Sequence, residues 1–575
     1  MKILGLNLLH ADSSACLVID GKIICGLDEE RVNRIKHSGG FPINAIRFCM
    51  EYSGLKISEL DFIVTNSNPN SNIYNKIKFF LKNFIKIDKS AIFNINNKLF
   101  NNDLSNFISE SEFKGRLVNI DHHLSHVASA FFCSTFDSSA NVSIDGSGDF
   151  VSTTIGYTNN DKIKIIDTVL FPHSLGTFYQ VITNFLGFKN HGDEYKVMGM
   201  AAYGKPSLID LLSNIIFHDD KNIFRLNLKY FKHHTKLKSF DIVNGKVLIN
   251  RIYHQTLLEN LFGFSERRIN DKLETFHYDL ASSVQKIYEE FFFKILKIAY
   301  NKFPSNNLTL SGGCAMNSLA NGKIKQNTKF KNVFIQPASG DGGGSLGSAI
   351  YLSSKYDKVK RSRLFTSLIG KEFSSSDCYN SIKKYPDLKN YQIEKLNAEQ
   401  LNTQVCMIIK NTGVVGRFVG RCEWGSRALG NRSIIADPSN PNIKDIINLK
   451  IKKRESFRPF APSILHEYGN DWYENYEFIP HMMQVLKVKK EKLTIIPAVT
   501  HIDGTGRVQS VNIDSNEKYY NLIKKFNDLY GIPIILNTSF NENEPIVFTP
   551  ENAIETFLKS KMDALILEDY LIIRK

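Results

Sequence analysis

What this 575-residue chain lacks narrows its class first. No apolar run approaches the roughly 18 residues that a membrane-spanning helix requires, because charged or turn residues cut even the greasiest segments. Its eight cysteines (16, 25, 49, 133, 314, 378, 406 and 422) contain no C-x-x-C pair. Thiols scattered in this way fit a reducing compartment and exclude a dense disulfide framework. Met1 to Asp12 reads as a strand, without a signal-peptide h-region or small-residue cleavage site, so the cytoplasm is expected and no membrane partner. The formal charge is +14, yet the lysines alternate with Asn and Ile throughout and no basic stripe with interleaved aromatics stands out. No nucleic-acid partner is expected.

The composition that remains is ordinary for a globular protein, and the length calls for two or three domains. Lys2–Asn7, Ala15–Ile19 and Lys22–Leu27 are apolar, β-branched runs, with the polar loop His10-Ala11-Asp12-Ser13-Ser14 between the first two. A comparable pattern returns where Asn141–Asp145 ends in Gly146-Ser147-Gly148-Asp149 and is followed by Val151–Tyr157 and Lys162–Leu170. An internal repeat of this kind predicts a duplicated α/β domain whose glycine-rich turns bring backbone N–H groups to a phosphate. Lys36, in Arg34-Ile35-Lys36-His37, lies where the chain leaves a strand, a place where ligands often sit in α/β folds.

Three imidazoles fall within five residues in Asp121-His122-His123-Leu124-Ser125-His126, at the start of an expected helix. His122 and His126, four apart, share one helix face, the spacing that chelates a divalent metal; ordinary hydrogen-bonded histidines would show the same spacing. His123 points about 100° away from His122 and is expected to be structural. Asp341, alone among glycines in Ser339-Gly340-Asp341-Gly342-Gly343-Gly344, is a carboxylate free to reach a metal, or simply a turn residue. Leu308–Leu310 is a short strand running into Ser311-Gly312-Gly313 and a helix that begins near Asn317.

The polar, Lys-rich stretch from Ser353 to Gln400 marks a boundary near residue 360, which divides the chain into domains 1–360 and 361–575. Residues 205–275 form a less patterned insertion with no function assigned. In the second domain Arg417, Arg421, Arg427 and Arg432 surround Glu423-Trp424-Gly425-Ser426, and residues 450–462 add Lys452, Arg454 and Arg458. Guanidinium groups at this density suit bidentate capture of phosphate, so an anion site is expected here. Arg507 lies in a later turn, and Ile534–Leu536 is a buried strand that empties into Asn537-Thr538-Ser539-Phe540-Asn541. Thr549-Pro550-Glu551 opens a helix with Thr as N-cap.

Six segments in order carry a resemblance: Glu29-Glu30-Arg31 with Arg34-x-Lys36-His37; Asp121-His122-His123-x-x-His126; Gly192–Met198; Ser339-Gly340-Asp341-Gly342; Arg427–Ser433; and Leu536–Asn541. Together they resemble the O-carbamoyltransferases of the nodulation-factor, cephamycin and tobramycin type. That resemblance implies an α/β fold: a duplicated actin-like (ASKHA) N-terminal domain, then an α/β YrdC-like C-terminal domain. It implies an enzyme that joins carbamoyl phosphate and ATP, with Mg2+ accompanying the ATP, into carbamoyl adenylate in the C-terminal domain. The N-terminal domain then moves the carbamoyl group to a hydroxyl of a sugar or natural product. Iron(II), or another divalent metal, would be held by His122, His126 and Asp341, with Asp145 beside them. Lys36, the loop from Asp145 through Gly146 and Gly148 to Asp149, Gly176 and the Asn317 region would hold carbamoyl adenylate. Arg427, Lys452, Arg458, Arg507 and Asn537 would hold carbamoyl phosphate and ATP. Asp12, His10 and Asp145 are candidate bases for the acceptor hydroxyl, with Asp12 favoured. A homodimer is expected by base rate. Two other functions compete: a small-molecule kinase of the same fold, and a non-enzymatic nucleotide-binding regulator.

Overall fold

The structure is a computed structural model that describes every residue except 9, 84–86, 88–101, 220–222, 358, 362–364 and 456. Ser456 of the cationic stretch and part of the expected boundary lie outside the described residues. The chain divides into two compact units, Met1–Arg363 and Leu364–Lys575.

In the first unit, β1 (Lys2–Asn7), β2 (Ser14–Ile19), β3 (Lys22–Asp28), β4 (Phe62–Thr65) and β5 (Arg116–Asn119) form one sheet in the order β3-β2-β1-β4-β5. The first three strands run antiparallel, and β1, β4 and β5 run parallel. A second sheet holds β6 (Ser138–Gly148), β7 (Val151–Asn159), β8 (Lys162–Leu170), β9 (Asn307–Ser311) and β10 (Asn332–Ile335). Its order is β10-β9-β6-β7-β8, with the first three strands again antiparallel and β6, β9 and β10 parallel. Both sheets therefore read third, second, first, fourth, fifth in chain order. The duplication anticipated from the two strand-loop-strand segments is present in the topology.

Two helices join the halves. Helix α1 (His122–Cys133) follows β5 yet packs on β6 and β9, while α2 (Gly343–Ser353) follows β10 yet packs on β1, β2 and β4. Each half thus lends a helix to the other's sheet, and the two helices pack together between them. Their small residues permit the contact: a Cβ at Gly347 would stand 1.8 Å from the Ser125 carbonyl oxygen. Because α1 is covered on both sides, His122, His123 and His126 are buried at 0%, 4% and 0% exposure. Buried imidazoles need partners, so this packing turns a sequence coincidence into a chemical requirement.

The insertion contains two antiparallel hairpins, Ile216–Asp219 with Ile223–Leu226 and Phe240–Val243 with Lys246–Ile249, and is followed by the long helix Thr275–Lys302. The second unit is built on a nine-stranded mixed sheet. At its centre Val415–Phe418, Arg432–Ala436, Ile534–Ser539 and Ala461–Leu465 lie side by side, pairing antiparallel. The helix Pro550–Lys559 begins as expected, with the Thr549 side chain accepting from the Asn552 N–H. No helix among the described residues is long and apolar enough to cross a membrane.

Candidate functional site

Four side chains of the first unit converge on one point. The Nε2 atoms of His122 and His126 lie 3.1 Å apart, and His122 Nε2 lies 3.2 Å from Asp145 Oδ2. Asp341 Oδ1 stands 3.5 Å from His122 Nε2 and 3.9 Å from His126 Nε2, and Asp145 Oδ2 is also 3.9 Å from His126 Nε2. Two donors at about 2.1 Å from one ion lie roughly 3.0–3.4 Å apart at octahedral or tetrahedral angles, so these spacings are near those of ligands around a single cation. Asp341 Oδ1 is buried and has no hydrogen-bond partner.

Local structure explains each position. The first two turns of α1 present the histidine pair. Asp145 leaves the end of β6, where its Oδ1 accepts from the Gly313 N–H at 2.8 Å and its Oδ2 remains for the cluster. Asp341 sits in the turn between β10 and α2. Asp149 serves the helix: its Oδ2 accepts the His122 N–H at 2.8 Å, a negative charge at the N-terminus of α1. Gly148 makes room for the His122 ring, since a Cβ there would stand 2.1 Å from His122 Cδ2. Gly176 abuts the turn, 3.0 Å from the Asp145 oxygen by the same construction, whereas Gly146 faces open space.

The electrostatics favour a cation. Burial opposes charge on His122, but its hydrogen bond to Asp145 and the carboxylates around it raise it to about 9. Burial, with the charge of Asp145, drives Asp341 well above the usual carboxylate range. Burial and His122 together hold His126 well below the usual imidazole range. As protein groups alone the four make conflicting demands. A divalent cation reconciles them by accepting two ionised carboxylates and two neutral imidazoles. The donor set of two nitrogens and two oxygens fits a first-row divalent ion such as iron(II).

His123 is occupied elsewhere, with Nδ1 3.0 Å from Ser143 Oγ and Nε2 3.0 Å from the Val151 carbonyl oxygen. Burial, reinforced by His122, lowers it to about 4, so it stays neutral. The His10 ring lies against His122 at 4.5 Å between centroids. Asp12 is paired with His37, and Lys36 lies close enough to both to act on their charge. Asn317 caps the helix Ser318–Asn321 and exchanges hydrogen bonds with Gln285.

The cationic residues of the second unit divide into two groups. Arg417 donates to the Gly430 oxygen, Arg421 to the oxygens of Ile369 and Gly370, and Arg432 to those of Val419 and Asn431. Three of the four arginines that raised the local charge density are therefore engaged with backbone carbonyls, and the fourth, Arg427, is the one that the resemblance assigns to phosphate. Glu423 organises the same loop, its Oε1 accepting from the N–H groups of Leu429, Asn431 and Arg432.

Arg427, Arg454 and Arg507 form the second group. Burial, followed by the charges of Arg427 and Arg454, pushes Arg507 well below its ordinary value, the signature of like charges gathered out of water. His501 lies in the same field, lowered to about 4 by burial and by Arg507. Lys452 is buried and donates to Ser539 and to the Asn541 oxygens O and Oδ1 at 2.8 and 2.7 Å. Arg458 pairs with Glu455 at 2.5 Å. Asn537 donates to Gln509 at 2.9 Å and to the Ala428 oxygen at 3.2 Å, which fixes the residue beside Arg427.

Sequence reasoning placed Arg454 in the anion site without assigning it a ligand, and did not single out His501, His37 or His191, the last 4.0 Å from Asp12 Oδ2. Arg454 and His37 stood inside quoted motifs, two residues after Lys452 and one after Lys36. Their neighbours carried the signal.

Known proteins resemble the chain along most of its length. Residues 2–350 match the family profile described as Carbamoyltransferase N-terminus, and residues 406–574 match Carbamoyltransferase C-terminus. An uncharacterized protein of Synechocystis is 35% identical over 99% of this chain and 96% of its own length. Nodulation protein NolNO of Sinorhizobium fredii is 34% identical over 98% of this chain and 79% of its own. The 3'-hydroxymethylcephem-O-carbamoyltransferase of Streptomyces clavuligerus is 30% identical over 44% of this chain and 46% of its own. With both family profiles matched in order and full-length relatives on either side, the chain belongs to the carbamoyltransferase family and is a carbamoyltransferase.

Proposed function

We propose that the enzyme is an ATP-dependent O-carbamoyltransferase. Carbamoyl phosphate, ATP and one water, with Mg2+, give carbamoyl adenylate, pyrophosphate and inorganic phosphate, the water releasing the phosphate of carbamoyl phosphate. The carbamoyl group then passes to a hydroxyl of a sugar or natural product, and AMP leaves. The observation that carries this reading is the group Arg427, Arg454 and Arg507, half-buried and close enough together that the first two depress the third, in the unit that also holds Lys452. That much positive charge exceeds what one carbamoyl phosphate needs and suits a triphosphate beside it. Asn537 supports Arg427 through Ala428, and Arg458, held by Glu455, adds a further guanidinium for phosphate.

In the first unit Lys36 and the backbone around Gly146 and Gly176 are the groups for the adenylate, with Asn317, after β9, and its partner Gln285, on the helix Thr275–Lys302. Held by His122, His126, Asp145 and Asp341, a divalent ion such as iron(II) would supply a Lewis acid for the carbamoyl carbonyl. Asp145 is also fixed by the Gly313 N–H, which leaves it a poor proton acceptor. A kinase of the same fold leaves the histidine pair and the cationic cluster without a role.

The test is mass spectrometry of aminoglycoside, nucleotide-sugar and macrolide acceptors incubated with enzyme, ATP and carbamoyl phosphate. The expected product gains one carbamoyl group in exchange for a hydrogen. A product that gains a phosphoryl group overturns the proposal in favour of a kinase.

A further inference from the structure

Beside the four-residue cluster three more side chains meet, brought together from separate loops. His37 Nδ1 lies 2.8 Å from Asp12 Oδ1, and His191 Nε2 lies 4.0 Å from Asp12 Oδ2. The rings of His37 and His191 meet edge to face at 5.3 Å. Their side chains, unlike those of His122 and His126, keep between a quarter and a third of their surface open, at 25% for His37, 31% for Asp12 and 27% for His191. They are partly open to solvent.

The pairing is built in. Asp12 and His37 both occupy the left-handed backbone region, at φ +53° and +54°. That region is uncommon for residues other than glycine, though Asp and His enter it more readily than most, and such positions gather at functional sites. Here the Ser13 N–H and Oγ both donate to the Ser38 oxygen, at 2.7 and 3.0 Å, which fastens one loop to the other. Asn7 Nδ2 donates to the Ala11 and Asp12 oxygens at 2.9 Å, and the His37 N–H donates to Glu30 Oε2 at 2.7 Å. The far edge of the His37 ring faces Gly192: a Cβ there would stand 2.7 Å from Nε2. Glycine leaves that nitrogen reachable. Asp12 also borders the Asp341 turn, since a Cβ on Gly342 would stand 3.4 Å from the Asp12 oxygen.

We propose that His37 takes the proton of the acceptor hydroxyl through Nε2, while Asp12 holds the ring at Nδ1. This rests on the carbamoyl-adenylate reading above. The acceptor oxygen forms its bond to the carbamoyl carbon, the bond from that carbon to the bridging phosphate oxygen breaks, and its electron pair leaves with AMP. The hydroxyl proton goes to His37 Nε2 and from there to solvent. Asp12 is thereby a positioning residue and not the base, and the arrangement follows the carboxylate–imidazole logic of activated hydroxyls generally. The pair outweighs burial on both sides, with the Asp12 carboxyl held at about 2 and His37 raised above its ordinary value. The titratable groups that face His37 are Asp12, Glu30, Lys36, His191 and Glu194.

The experiment separates the two half-reactions in the full-length, metal-loaded enzyme. Adenylate formation is read as carbamoyl-phosphate-dependent exchange of pyrophosphate into ATP. Transfer is read with two probes: water, as AMP release, and hydroxylamine, as hydroxyurea formation. Hydroxylamine attacks through a lone pair and has no proton to lose first. For His37→Gln we expect unchanged exchange and unchanged hydroxyurea, with AMP release to water down by about 10²–10⁴-fold. The limb of its pH–rate profile that reports His37 disappears. Asp12→Asn shifts that limb to lower pH, and Gly192→Ala, which covers Nε2, reproduces the loss with His37 in place. Equal losses with both nucleophiles, or an unaltered pH profile, overturn the proposal. So does loss of a second equivalent of bound metal in His37→Gln, which would make Asp12, His37 and His191 a metal site. Absence of any exchange in the wild type would instead remove the adenylate reading, and this proposal with it.

Discussion

Replacing Gly148 by alanine is the sharpest perturbation of the histidine pair that leaves every donor atom in the sequence. An added Cβ would stand 2.1 Å from His122 Cδ2, 2.2 Å from Cγ and 2.7 Å from Nε2. Ordinary carbon contacts begin at about 3.5 Å, so the ring must retreat by roughly 1.4 Å or the strand must yield. The ring is 0% exposed in packed surroundings, so it has no free space to enter. Metal donors tolerate only about 0.2 Å of displacement, and outer-shell changes alone cost about 10–100-fold in affinity. Gly148→Ala is therefore expected to weaken divalent metal binding by at least 100-fold, with an overpacking cost of about 1–3 kcal/mol in stability. The assay is competitive titration with a metal-sensitive dye under anaerobic conditions, alongside thermal unfolding. Gly146→Ala, where a Cβ meets nothing within 4 Å, is the internal control and keeps wild-type metal affinity. A Gly148→Ala protein that binds one ion as tightly as the wild type would refute the placement of His122 as a ligand.

Other consequences can be measured separately. Arg507→Ala should lower carbamoyl-phosphate-dependent pyrophosphate exchange by about 100-fold, as loss of a phosphate-directed charge does, and unaltered exchange would remove Arg507 from the site. Arg432→Met leaves the Val419 carbonyl without its guanidinium donor, at about 1–3 kcal/mol, and should destabilise the second unit in urea titration; an unchanged midpoint contradicts its structural role. Burial, with Asp193, lifts the Glu194 carboxyl to about 7, so from pH 4.5 to 7 the folded state holds the extra proton and stability falls as pH rises. Glu194→Gln removes that loss. Its Tm relative to wild type should climb between pH 5 and 8, and a constant difference would contradict the shift.

What the sequence made legible was periodic or isolated. His122 and His126 repeat at one helical turn, Asp341 stands alone among glycines, and the two strand-loop-strand openings give the duplicated sheets. Contacts set by unusual backbone were hidden. Asp12 and His37 are 25 residues apart and both take left-handed conformations, which their residue types permit but do not announce. Arginine density misled for a physical reason: a buried guanidinium satisfies backbone carbonyls as readily as it binds phosphate. The hydrogen-bond partners separate Arg417, Arg421 and Arg432 from Arg427 and Arg507, a division that the family motifs carried and residue density alone did not. Gly148 was legible as a special glycine, but its role against an imidazole 26 residues earlier depends on how β6 passes α1.

The central claim is that this chain activates its carbamoyl group as an adenylate. The most direct measurement incubates the purified enzyme with carbamoyl phosphate and ATP labelled in the α- and γ-phosphates, then separates the nucleotide products. The account predicts pyrophosphate carrying the γ label and AMP or carbamoyl adenylate carrying the α label, both dependent on carbamoyl phosphate. ADP as the nucleotide product, with no pyrophosphate, would contradict it.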